Sequence, residues 1–295
     1  PIATAHVIAS ALHRKTGIPW IADFRDPMAQ DGYPADPFTW QSYKNIETDA
    51  VEHASMCVFT TPSAARLYQQ RYPGRASRMV VLENGYDEES FASVTHLPRV
   101  TPGQVPIKRP LLILHSGIVY PSERDPTQLL EALGRLKIEG TLLPGDLRIR
   151  FRASVHDDLL ESLAKVHGAQ DFIEMCPPIP YREALAEMMA VDALLVMQAS
   201  NCNAQIPAKI YEYLRAGKPI LGLTDPVGDT AGVLKGAGLP DIVRLDNVDE
   251  IMEKLTVFVI ACNRGLAALP QASSTHQASR RARSEVMAGL LERAT

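Results

Sequence analysis

Lys209 and Glu212 stand three residues apart just after Pro207, and at that spacing an ammonium and a carboxylate project from one side of a helical turn. Pro207 suits the first turn of a helix, where its missing N–H costs nothing, and a helix start offers free N–H groups that favour anions. The pair is suited to hold a phosphate and two sugar hydroxyls; a solvated ion pair on an ordinary helix has the same spacing. Gln205 adds a neutral hydrogen-bonding group just ahead of it. A second constellation lies in His115-Ser116-Gly117-Ile118-Val119-Tyr120-Pro121-Ser122-Glu123-Arg124-Asp125. Gly117 lets backbone approach a ligand, or simply makes a turn. Arg124 can grip phosphate oxygens through two parallel N–H groups, or pair at the surface with Glu123 or Asp125. A third is Asp23-Phe24-Arg25-Asp26-Pro27. It follows a strand at the end where open α/β sheets place ligands. Asp23, Arg25 and Asp26 can orient an acceptor hydroxyl or contact a donor sugar, or they brace the loop as salt bridges.

The elements that must position these groups alternate short apolar strands with amphipathic helices, the pattern of parallel α/β sheets. Around Lys209, Ile210, Tyr213 and Leu214 give a helix one apolar face. Gly217 sits where a left-handed C-cap belongs, and Pro219–Leu223 reads as a strand buried on both faces. Strands are expected at Pro19–Phe24, Met56–Thr60, Met79–Leu82, Leu111–Ser116, Leu147–Ala153, Phe172–Met175, Ala193–Met197 and Ile242–Leu245. Helices are expected at Ala3–Arg14, Gln41–Ala54, Ala64–Arg71, Thr127–Lys137, Asp158–His167, Tyr181–Met189, Val248–Asn263 and Gln277–Arg293. Asn84-Gly85 is expected to make a positive-φ turn, Asp229 to cap a helix, and His115 to be a buried, hydrogen-bonded core histidine. Ser93–Pro110, rich in Pro, Thr and Val without helical period, reads as a linker between two domains.

Composition narrows the class. The 295 residues carry 46% hydrophobic and 22% charged side chains with a net charge of −4, which suits a soluble globular protein and gives no support for nucleic-acid binding. No apolar run approaches the roughly 18 residues that would span a bilayer, and no signal peptide is evident. Cys57, Cys176, Cys202 and Cys262 are scattered without metal-ligand spacing, and the histidines form no ligand motif. No metal site is expected, and the thiols fit a reduced, cytoplasmic setting.

The run Gln205-Ile-Pro-Ala-Lys209-Ile-Tyr-Glu212-Tyr-Leu-Arg-Ala-Gly217-Lys218-Pro219 resembles the donor-binding segment of GT-B-fold glycosyltransferases. It is most similar to that of the retaining glycosyltransferase family 4, in a subgroup of bacterial polysaccharide-assembly enzymes. Asp23-Phe24-Arg25-Asp26-Pro27 and Glu83-Asn84-Gly85-Tyr86-Asp87 are similar to further wording of that subgroup and family. The resemblance implies two Rossmann-like domains facing a cleft, the first of them incomplete, with about 100 residues missing ahead of Pro1. The implied domains are a partial acceptor domain over 1–100, a donor domain over 108–268, and a C-terminal helix, 269–295, returning to the first domain. Its basic start at Arg280, Arg281 and Arg283 would otherwise suit anionic lipid.

The resemblance further implies transfer of a sugar, with retention, from a nucleoside diphosphate sugar to a polysaccharide or lipid-linked glycan. The nucleotide sugar would be a substrate and no resident cofactor is implied. Such an acceptor would bring the protein to the inner face of the membrane as a peripheral contact. Glu212 would bind the ribose hydroxyls, and Arg124 and Lys209 the diphosphate beside Gly117. Gln205 replaces a family glutamate and Ile118 a family cation, departures that leave open a non-catalytic binding protein descended from such enzymes. A sugar-nucleotide epimerase shares the fold without the donor-segment wording.

Overall fold

The computed structural model describes residues 3–94 and 109–294. The chain forms two compact units, one of residues 1–84, 204–206 and 280–295, the other of 85–203 and 207–279. The first opens with α1 (Ala3–Thr16), β1 (Ile21–Phe24), α2 (Pro37–His53), β2 (Met56–Phe59), α3 (Pro62–Arg71) and β3 (Met79–Val81). Its three strands pair in parallel in the order β1-β2-β3. α2 begins earlier than expected because Asp36 accepts a hydrogen bond from Thr39 N at 2.7 Å, with Pro37 in the first turn. In this unit's core Phe24 and Phe59 stack, and Tyr68 of α3 packs tilted against both rings.

The second unit contains α4 (Glu88–Ala92), β4 (Leu111–Ser116), α5 (Thr127–Ile138), β5 (Leu147–Arg152), α6 (Asp157–His167), β6 (Ile173–Cys176), α7 (Tyr181–Ala190) and β7 (Ala193–Gln198). It continues through α8 (Lys209–Ala216), β8 (Ile220–Thr224), α9 (Asp229–Gly236), β9 (Ile242–Val243), α10 (Val248–Asn263) and α11 (Ala272–Gln277). Its six strands are all parallel in the order β6-β5-β4-β7-β8-β9. β7 and β8 are buried at every residue, as a sheet covered on both faces requires. Ile113, Ile149, Phe151, Leu195 and Leu221 face α5, α6 and α10 in one core cluster. The alternate residues Leu114, Leu194 and Val196, equally buried, point to the opposite face.

Gly134 fixes the approach of α5 to α6, since a Cβ there would lie 1.9 Å from the His167 carbonyl oxygen. Backbone cannot yield as a flexible side chain does. Gly134→Ala is expected to cost about 3 kcal/mol, read as a lowered urea midpoint, where an unobstructed helical Gly→Ala would gain stability.

The final helix, α12 (Arg280–Ala294), belongs to the first unit. Leu290 packs on Val58 and Leu82, and Arg283 pairs with Glu83. The single helix expected over Gln277–Arg293 is therefore two, because the chain leaves helical conformation where Tyr86 N donates to Ala278 O at 3.1 Å and residue 86 bridges Ser279. Residues 85–94 group with the second unit, tied there by Glu88, whose carboxylate takes two 2.6 Å bonds from Arg215. The expected linker lies mostly outside the described residues.

Two local expectations are corrected. Residues 82–85 run without a turn or bend, and the Asn84 side chain instead accepts a hydrogen bond from Arg25. Gly228, not Asp229, occupies the cap of α9, with no side-chain cap bond. A Cβ at Gly228 would meet Asn203 Oδ1 at 2.7 Å, so the close approach of that loop decides the residue.

Candidate functional site

In the second unit strand order reverses between β4 and β7, which are neighbours although far apart in sequence. In open α/β sheets the crevice outside the carboxyl ends of two such strands is where ligands bind. β4 delivers His115, Ser116 and Gly117 to that point. The chain leaving β7 reaches it again through α8.

α8 starts without a side-chain cap and ends at Gly217 in the left-handed conformation, φ 69°. Its apolar face, Ile210, Tyr213 and Leu214, is buried. Tyr213 OH accepts a 2.8 Å bond from Ser116 N, which holds the first turn of the helix against the end of β4. Lys209 and Glu212 thus reach the switch point on an element fixed by packing.

Gly117 has φ 114°, and a Cβ on it would sit 3.0 Å from Lys209 Nζ. The glycine is required twice, by its backbone angle and by the amine packed on its Cα. Behind the amine lies His115, with no exposed surface. Its Nδ1 is 3.0 Å from Leu195 O and its Nε2 3.4 Å from Lys209 Nζ. A carbonyl can only accept, so Nδ1 carries the proton and Nε2 presents a lone pair to the lysine. Burial and the neighbouring Lys209 charge hold His115 well below the usual histidine range, so it is neutral. Lys209 in turn is pulled down to about 7 by burial and by Arg124, with Glu212 pulling the other way.

Arg124 is positioned by its own loop. Nη1 donates to Ile118 O at 2.7 Å, and the guanidinium lies 5.1 Å from the Tyr120 ring centroid. Ile118, which carries no charge of its own, serves here through its backbone. Glu212 Oε1 accepts a 2.8 Å bond from Tyr181 OH, at the start of α7. The loop after β5 holds the two non-glycine residues with positive φ among those described, Ala153 at 57° and Val155 at 68°. A backbone of this kind costs on the order of 1–3 kcal/mol per residue and persists only where surroundings enforce it. Here Ala153 N donates to Cys176 O at 2.9 Å, and Ser154 bonds Asp157.

An arginine, a buried lysine, a carboxylate and a tightly approached glycine thus meet in one unit. Arg124, Lys209, Gly117 and Glu212 are brought together. Asp23, Arg25, Asp26 and Gln205 lie in the first unit. Asp23 is still within β1, with Arg25 and Asp26 following it. Arg25 Nη1 is 3.3 Å from Asp23 Oδ2, Arg25 O accepts from Thr60 Oγ1 at 2.8 Å, and Asp26 is exposed.

A cavity of about 270 Å³ lies farther along the second sheet, lined among others by Ser122, Gln198, Asp225, Arg244 and Asp246. It shares no residue with the Lys209 site. Among the described residues no group of three or more His, Cys, Asp or Glu side chains converges as a metal site, and no helix is long and apolar enough to cross a membrane. Sequence reasoning left out Tyr181 and Tyr213. An aromatic directly after Pro177-Pro178-Ile179-Pro180, at a strand exit, was the available signal for the first; the second was hidden within an apolar helix face.

No family model matches the chain, and no curated protein matches it. Solved structures do. A glycosyltransferase from Rickettsia africae superposes with a TM-score of 0.66 over 99% of this chain and 81% of its own, at 14% identity. HepE of Anabaena, in complex with UDP-glucose, gives 0.69 over 98% and 76%, also at 14%. The sucrose-phosphate synthase of Thermosynechococcus elongatus gives 0.65 over 99% and 71%, at 12%. The fold is that of GT-B glycosyltransferases, α/β with Rossmann-like units built on parallel sheets.

Proposed function

We propose that this chain is a nucleotide-sugar-dependent glycosyltransferase of the retaining family 4 kind, with its donor site in the second unit. The observation that supports this best is the meeting of Gly117, Arg124 and Lys209 at the switch point of a six-stranded parallel sheet. Arg124 and Lys209 hold the diphosphate and stabilise the charge that grows on it as the sugar leaves, beside the N-terminal end of α8. Glu212 takes the ribose hydroxyls. Neutralisation comes from the Arg124 and Lys209 side chains, and the proposed reaction uses the nucleotide sugar as substrate without a resident cofactor. In the first unit, Asp26 and Arg25 are the residues proposed for the acceptor hydroxyl, with Asp23 bracing Arg25. The proposed acceptor is a polysaccharide or lipid-linked glycan, met at the cytoplasmic face of a membrane.

Calorimetric titration with UDP, GDP and ADP tests the donor site; UDP comes first because HepE was solved with UDP-glucose. One nucleotide is expected to bind selectively. Arg124→Ala should weaken it about thirtyfold and Glu212→Ala about tenfold, the loss of charge-assisted hydrogen bonds. Binding of no nucleotide by folded protein would sink the donor site. Binding without sugar transfer to any glycan acceptor would favour a non-catalytic relative, a reading that Gln205 and Ile118 support.

A further inference from the structure

Beyond the donor site, we propose that the cavity of about 270 Å³ takes a neutral sugar ring and is coupled to the donor site through the Arg124 loop. Four strand exits of the second unit build it. Ser122 and Asp125 come from the loop after β4, and Ser200 from the exit of β7. Asp225 follows β8, while Arg244 and Asp246 follow β9. Gln128, in the first turn of α5, completes the wall.

The charges on that wall narrow the ligand. Asp125, Asp225 and Asp246 line the cavity with one guanidinium, Arg244. The Asn203 amide holds Asp225 below the usual carboxylate range, and Arg244 does the same for Asp246. Both are therefore charged at neutral pH, and the excess of negative charge repels phosphates and uronates. Among the described residues no three acidic, His or Cys side chains converge on a metal ion. The lining also has no aromatic ring on which a base would stack. What it offers is a mixture of donors and acceptors. Within the described residues the Ser122 and Ser200 hydroxyls and the Gln128 amide enter no hydrogen bond. Asp125 bonds Thr127 through Oδ1 alone. Pro121 and the buried Leu245 add apolar surface. A compact ring whose hydroxyls both donate and accept, and whose C–H faces are apolar, matches that mixture.

One loop serves both sites. Ala199 N donates to Glu123 O at 2.7 Å and Asn201 Nδ2 to Ser122 O at 2.9 Å, so the exit of β7 is tied to the residues just before Arg124. Arg124 does not line the cavity, and its guanidinium is held on Ile118 O. A sugar bonded to Ser122 and Asp125 restrains the loop on either side of Arg124. It thereby favours the arrangement that binds diphosphate, and diphosphate favours the sugar by the same factor. This coupling rests on the donor-site reading; the binding of the sugar does not.

The test is saturation-transfer NMR with glucose, galactose and mannose, followed by the uronate of whichever sugar binds. At least one neutral sugar is expected to bind with a Kd on the order of millimolar, and its uronate about tenfold more weakly. Ser200→Trp, which fills the cavity from an exposed position, should abolish binding. Gln128→Met and Arg244→Ala should each weaken it about fivefold. Far-UV circular dichroism and urea midpoints check that each variant is folded. No binding of any of the three sugars, or equal binding in Ser200→Trp and Gln128→Met, would overturn the site. Saturating sugar is expected to tighten UDP about threefold in the wild type and not in Ser200→Trp; an unmoved UDP affinity would overturn the coupling. If folded wild type binds no UDP at all, the donor-site reading fails by itself, and the sugar titration still decides the cavity.

Discussion

UDP binding to this chain is expected to weaken about fiftyfold between pH 7 and pH 9, with proton uptake on binding rising from about half a proton toward one. Lys209 is the cause. In the free site burial and Arg124 pull its pKa down from 10.5 to about 7. The groups that face it are Arg124 from the loop after β4, Glu212 from its own helix, and His115 from β4, which is neutral. A diphosphate brings two or more negative charges to the amine and returns the pKa toward its ordinary value. Between the two values the free site loses its proton while the bound site keeps it, so the first pH unit above 7 costs about fivefold in affinity and the second nearly tenfold. Isothermal titration in buffers of different ionisation heat reads the proton directly. Lys209→Met should bind more weakly at pH 7 and show no slope above it. An identical slope in the variant would assign the proton elsewhere.

The same amine sets a pH dependence of stability, of the same sense as the usual carboxylate case but at alkaline pH. Between pH 7 and 10.5 the unfolded chain keeps a proton on Lys209 that the folded chain has released. Unfolding therefore takes up protons, and stability rises with pH across that window. Below pH 7 both states are protonated and the cost of the buried ammonium, on the order of a few kcal/mol, is constant. Subtracting the Lys209→Met curve from the wild-type curve isolates this slope from the tyrosines and cysteines that titrate in the same region.

Local signals recovered most of the second unit. Leu111–Ser116 and Val248–Asn263 have the bounds read from periodicity, because each is an uninterrupted apolar pattern flanked by loop residues. Gly217 ends α8 in the left-handed conformation, as a glycine before Lys-Pro should. The order of strands is another matter. Nothing local in the sequence states that β4 lies beside β7, yet that adjacency brings Gly117 to Lys209. The pairing of Glu212 with Tyr181 likewise depends on how α7 and α8 pack, which no spacing encodes. α2 shows the converse failure. Asp36-Pro37 carried a complete start signal, and the aromatic and proline-rich surroundings masked it. Glu47 was missed for a related reason, since a lone glutamate in a helix reads as solvated.

Replacing Glu47 by alanine is expected to cost about 3–5 kcal/mol, the loss that follows when one member of a buried charged cluster is removed. Glu47 has no exposed surface, although it is a carboxylate in mid-helix. Oε1 accepts from Arg71 Nη1 and Tyr72 OH, both at 2.7 Å, and from Lys44 Nζ at 3.2 Å. Oε2 accepts from Tyr68 OH at 2.7 Å and Ala29 N at 3.2 Å. Tyr68 OH, while donating to Glu47, accepts from Met28 N at 2.9 Å. One side chain therefore joins α2, α3 and the loop that carries Asp26, and its removal strands a partly buried arginine and the Ala29 amide and frees the Tyr68 hydroxyl that holds the Met28 amide. Burial alone would push the carboxyl up, but the bonds from Tyr68, Arg71 and Tyr72 outweigh it and hold the pKa below 4.5. The stability it supplies is accordingly complete above pH 4.5 and lost as pH falls through the lower folded value. Two readouts check this. Urea midpoints of wild type and Glu47→Ala should differ widely at pH 7 and converge in acid, and the amides of Met28 and Ala29 should exchange with solvent much faster in the variant. Glu47→Gln keeps one acceptor oxygen but turns an amide N–H₂ toward donors, so it should recover only a minor part of the loss. A Glu47→Ala protein within 1 kcal/mol of the wild type would mean that water satisfies the cluster in place of the carboxylate, and that the Asp26 loop is held by other means.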